Sequence, residues 1–96
     1  MTALDPRLLL LDPDDNVLVL GASVVAGEPL LIDGNVVIAP VAAGLGHKLA
    51  RRAIARDEKV IKYGVPIGRA TVPIARGDHV HVHNVRSDYT PTYSLG

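Results

Sequence analysis

Cysteine, tryptophan and phenylalanine are absent from this 96-residue chain, and tyrosine occurs only three times. Without thiols there is neither a disulfide framework nor a thiolate zinc site. Without interleaved aromatic rings there is no stacking platform for bases, so nucleic acid is not an expected partner. No apolar run approaches the ~18 residues of a membrane span, and no charged, then apolar, then small-residue leader opens the chain. These absences predict a soluble cytoplasmic protein without membrane contact. The core must be built from Val, Ile, Leu and Ala. At 48% hydrophobic and 21% charged residues the composition is that of a globular chain. A domain this short buries a modest core, so association with a partner, or homo-oligomerisation, is expected.

The formal net charge of zero conceals an asymmetry: residues 1–46 carry six acids and one base, and residues 47–96 carry nine bases and four acids. An anion belongs in the second half.

Short runs of β-forming residues recur between turn signals, at 8–11, 17–20, 30–32, 36–39, 60–62 and 80–83. Asp12-Pro13-Asp14-Asp15-Asn16 is a turn cluster. Asp33-Gly34, between two apolar runs, predicts a hairpin over 29–39, because both turn positions favour φ > 0. One segment departs from this pattern. Leu49, Ala50, Ala53 and Ile54 fall one helical turn apart, with Lys48, Arg51 and Arg52 opposite, which predicts a short amphipathic helix near residues 47–55. It follows Ala43-Gly44-Leu45-Gly46-His47, so its start would offer free amides and a cationic face to a carboxylate, phosphate or sulfonate. The alternative is a solvated basic face.

A weak repeat relates residues 24–34, 54–64 and 74–84, each with an apolar start, an acidic turn, a strand and then Gly or Asn. Positions 34, 64 and 84 hold residues that tolerate left-handed backbone, so a similar turn is expected after each strand. The spacing is too irregular for a solenoid.

His79-Val80-His81-Val82-His83 is the sharpest chemical feature. On a strand the three imidazoles would share one face, with Val80 and Val82 on the other. Such a face suits metal ligation, acid–base work or substrate hydrogen bonding. Adjacent members stand ~6.5 Å apart by strand rise, so two of them with ligands from elsewhere make an easier metal site than all three. Imidazole suits zinc, iron, manganese or copper, and the spacing matches no strong zinc signature. The competing reading is an exposed polar face satisfied by solvent. No nucleophile with an evident base and no carboxylate pair is visible, so the catalytic kit is incomplete.

Three stretches in this order, Gly46-His47-Lys48-Leu49-Ala50, Val60-Ile61-Lys62-Tyr63-Gly64-Val65-Pro66-Ile67-Gly68 and Gly77-Asp78-His79-Val80-His81-Val82-His83-Asn84, resemble the SAF-type amino-terminal domain of the altronate and galactarate dehydratase family. The resemblance covers roughly residues 12–85. It implies a mainly β, SAF-type β-clip over 1–85, with a C-terminal tail over 86–96 that either stays loose or docks on a partner. It further implies a small accessory subunit of a hydroxy-acid lyase that is inactive alone and works with a large catalytic dehydratase subunit. The substrate would be altronate, galactarate, another sugar acid or sulfolactate. His47, His81 and His83 are carried over as catalytic and Lys48 as the carboxylate partner, and Arg51, from the cationic face, is expected to join Lys48 in binding substrate. His81 and His83 are the metal candidates, for iron, manganese or magnesium shared with the large subunit. Arg56-Asp57-Glu58 departs from the family, standing where a glycine-containing turn is expected. Related SAF domains that bind or position without catalysis supply the alternative of a binding or structural module.

Overall fold

The computed structural model describes residues 3–87, and the greater part of the 86–96 tail, with Tyr89 and Tyr93, lies outside the described residues. Among the described residues nine short strands run in chain order: β1 (Leu8–Leu9), β2 (Val17–Leu20), β3 (Pro29–Ile32), β4 (Asn35–Ile38), β5 (Lys48–Ala50), β6 (Lys59–Lys62), β7 (Val65–Ala70), β8 (His79–Val80) and β9 (Val85–Arg86). The described residues hold no helix, hence none long and apolar enough to cross a membrane. All pairings are antiparallel, in a four-stranded sheet of order β1-β2-β5-β8, a β3-β4 hairpin and a three-stranded sheet of order β6-β7-β9. This all-strand architecture agrees with a β-clip.

The Asp33-Gly34 hairpin forms as its sequence requires: Ile32 pairs Asn35, and both turn residues have positive φ, 49° and 80°. A second hairpin turns at Tyr63-Gly64, with φ 57° and 73°. A tyrosine is an unusual left-handed residue. The buried Asp15 carboxylate stabilises it by accepting the amides of Tyr63 (3.0 Å) and Gly64 (2.8 Å). The third expected left-handed position, Asn84, does not have positive φ. Its buried side chain instead accepts the His81 amide and donates to the His79 carbonyl, closing the turn after β8.

The repeat has four copies, over 20–30, 39–49, 50–60 and 70–80. In each, a bridging residue (Val24, Ala43, Ile54, Ile74) leads into a tight turn and then a strand. The turn carries one left-handed residue, Gly27, Gly46, Asp57 or Gly77. Units associate reciprocally in two pairs. The Gly27 amide donates to Ala39 and the Gly46 amide to Leu20, while Asp57 donates to Ala70 and Gly77 to Ala50. The odd Arg56-Asp57-Glu58 turn is thus a unit whose glycine is replaced by aspartate, one of the few residues that tolerate that conformation. At Gly77 a side chain would also collide with Val37.

Each pair encloses its own core. Leu18, Leu20, Val24, Leu30, Ile32 and Leu49 belong to the first, and Val17, Ala50, Ile54, Val60, Ile74 and Val80 to the second. This division overturns the expected helix. Leu49 and Ala50 are both buried, but on opposite faces of β5 and in different cores, while Ala53 is exposed. The helical spacing arises because one unit ends at residue 49 and the next begins at 50. Without a helix there is no helix N-terminus to bind an anion. The Gly46 and His47 amides are engaged, donating to the carbonyls of Leu20 and Gly44.

Candidate functional site

The seam between the two pairs is β5 against β8, where Lys48 stands opposite Val80 and Leu49 opposite His79. His47 reaches this seam from the first pair and His79 from the second. Their rings lie nearly parallel, with Nδ1 of His47 2.9 Å from Nε2 of His79. His81 and His83 complete the group, each with its ring centroid 5.6 Å from that of His79. All four histidines of the chain therefore converge on one patch. They do so by a route other than strand alternation. The strand ends at Val80, and residues 81–84 turn back on themselves, so Val80 is buried but Val82 is 80% exposed. The expected pair of inward valines is reduced to one.

Comparison of the four units explains why His47 is available. At the position after the left-handed residue, Glu28, Glu58 and Asp78 each accept a turn amide, from Val25 (2.7 Å), Ala55 (2.9 Å) and Ala75 (2.9 Å). His47 occupies that position in the second unit and meets His79 instead. The pattern was available in the sequence once Ala43, Gly46 and Leu49 are aligned with Val24, Gly27 and Leu30. The helical spacing concealed it. His79 belongs to the run expected to carry chemistry but not to the residues that the resemblance carries over, and it is the hub: it is half-buried whereas the other three rings are exposed.

Two open recesses flank the imidazoles. One, of about 450 Å³, is lined by His79 and His83 with Asp78, Asn84 and the Pro40-Val41-Ala42 segment. The other, of about 230 Å³, is lined by Lys48 and His81 with Ile67, Val82, Val85 and Ser87. Lys48 is half-buried, and among the described residues no carboxylate pairs with it. Burial first, and then the charge of Lys62, pull its ammonium below the usual lysine range. Burial is likewise the main cause that lowers His79, followed by the charges of His47, His81, His83 and Lys48, so this ring resists protonation.

Arg51 stands apart from this group. Its guanidinium bonds Asp33 Oδ2 (2.8 Å) and the carbonyls of Pro13 (2.9 Å) and Asp15 (3.1 Å), tying the first hairpin turn to the loop before β2. It lines a separate recess with Asp14 and Arg76. Among the described residues no group of three or more His, Asp or Glu side chains is arranged to hold a metal ion. His81 and His83, with ring centroids 6.5 Å apart, are at most a pair of nitrogen donors, and magnesium prefers oxygen. On their own these residues do not complete a site: two imidazoles suit iron or manganese only with further donors from elsewhere, and they do not suit magnesium.

Residues 6–88 match the family model described as the altronate/galactarate dehydratase SAF domain. This chain belongs to that family. Among its relatives, altronate dehydratase from Escherichia coli (strain K12) is 43% identical over 74 residues, covering 77% of this chain and 15% of the relative. Altronate dehydratase from Bacillus subtilis (strain 168) is 34% identical over 87 residues, 82% of this chain and 18% of the relative. The (2R)-sulfolactate sulfo-lyase subunit alpha from Chromohalobacter salexigens is 60% identical over 43 residues, 45% of this chain and 46% of the relative. The SAF chain thus spans less than a fifth of the dehydratases and about half of that sulfo-lyase subunit.

Proposed function

We propose that this SAF chain is the small accessory component of a hydroxy-acid lyase and presents its imidazole patch and Lys48 to a larger catalytic polypeptide. The observation that carries this reading is the convergence of all four histidines beside a half-buried lysine with which no carboxylate pairs among the described residues, in a dehydratase-family domain. Exposed apolar side chains support it. Leu45 sits in the turn that leads into His47, while Val41 and Val82 each share a recess with an imidazole, and a covering chain would bury all three while excluding water. The names of the relatives supply the substrate class, a sugar acid or sulfolactate.

In the reaction the C–H bond next to the carboxylate breaks, its electron pair forms the carbon–carbon double bond, and the β group departs with the electrons of its own bond. Lys48 pairs with the substrate carboxylate. His81, which shares the Lys48 recess, suits removal of the α-proton. A second, protonated imidazole of the patch hands a proton to a departing hydroxyl, releasing water. Sulfite leaves without that assistance.

The test is co-expression with the large dehydratase-type polypeptide of the same organism, followed by assay of the complex and of each part on altronate, galactarate and sulfolactate. Turnover by the complex alone is expected, with loss on His81→Ala. A stable complex with unchanged kinetics after His81→Ala would instead make this chain a structural module.

A further inference from the structure

The four rings are not equivalent. His79 is held on both sides of its backbone, by strand pairing with Leu49 and by the Asn84 amide, which donates to the His79 carbonyl at 2.8 Å. It touches each of the other imidazoles and is the least exposed of the four. His47, by contrast, has lost the turn-amide contact that Glu28, Glu58 and Asp78 make in the sister units. Among the described residues, its side chain makes a single hydrogen bond, between its Nδ1 and the Nε2 of His79 (2.9 Å). A neutral imidazole otherwise exchanges tautomers and rotates. With Nδ1 engaged by His79, the ring is restrained, and Nε2 is the nitrogen of this exposed side chain left without a partner among the described residues.

We propose that His79 is a positioning residue whose Nε2 accepts the Nδ1–H of His47, holding that ring in one orientation and tautomer and leaving the lone pair of His47 Nε2 as the atom offered to the substrate. The structural part of this inference stands on the hydrogen bond, and its catalytic consequence rests on the proposed function. Nitrogen-15 NMR of the imidazoles separates the two. In the wild-type protein His47 is expected to show the shifts of a single tautomer. In His79→Ala those shifts move to the averaged values of a freely exchanging ring, and in His79→Gln, whose amide stands near the place of Nε2, they stay largely resolved. Averaged His47 shifts in the wild type, or shifts unchanged in a folded His79→Ala, would overturn the inference. In the active complex, His79→Ala should lower kcat about 100-fold, the scale of a misplaced catalytic group, and leave KM within about twofold, with partial recovery in His79→Gln. A raised KM with unchanged kcat would also overturn it. Absence of turnover by any complex would contradict the proposed function, while the His47 shifts would still decide the tautomer claim.

Discussion

The two unit pairs follow the same backbone path yet differ at two corners, and the two differences have opposite meanings. The first pair keeps glycine at both left-handed positions, Gly27 and Gly46, but has a histidine where its sister units carry an acid. The second pair keeps both acids, Glu58 and Asp78, but has Asp57 where a glycine serves best. The Asp57 departure costs backbone strain and no residue of the imidazole patch depends on it. The His47 departure gives up a turn contact, and the freed side chain joins the patch at the seam. A rule broken within one chain therefore marks function only when the replacing side chain has somewhere to go.

The largest expected effect falls where the loop before β2 meets the second pair at β6. Asn16 is buried, donates to the Lys59 carbonyl (2.8 Å) and accepts the Ile61 amide (2.8 Å), joining the loop before β2 to β6. Asn16→Ala leaves both backbone groups unsatisfied and should lower unfolding free energy by about 3 kcal/mol in chemical denaturation. Repairing the second pair is the next step down. Asp57→Gly, at φ 68°, should raise stability by about 1 kcal/mol without altering the complex's kinetics. Repairing the first pair has a similar but smaller effect. His47→Glu restores an acceptor for the Gly44 amide and should add about 0.5 kcal/mol, read as a small rise in Tm.

The smallest effect is a pH slope. Because the His79 pKa is lowered from 6.5 in the folded chain, the unfolded chain binds that proton first. Stability is then lost as pH falls below 6.5, and the loss ceases once pH is below the folded value. His79→Ala should flatten the slope in that window.

Much of this was legible in the sequence. Asp33-Gly34 specified its hairpin because no other local chemistry competes for two left-handed residues, and the His79-to-His83 run supplied three of the four imidazoles that converge. Less legible were the features set by long-range pairing. The abutting of two units at Leu49 and Ala50 imitates a helical period, and only the division into two cores reveals that these neighbours face apart. The turn after Val80, held by Asn84, brings His83 back to the patch and leaves Val82 outside, a geometry that strand alternation does not anticipate. Arg51 reads as an anion ligand by its type and place in the basic half, yet its partners Asp33, Pro13 and Asp15 are distant in sequence.

The most direct test pairs stability with turnover in a single variant. Thermal unfolding of His47→Glu and its kcat in the complex with the large polypeptide should move in opposite directions, the midpoint rising slightly and kcat falling about 100-fold or more. A His47→Glu complex with unchanged turnover would contradict the assignment of the imidazole patch to catalysis.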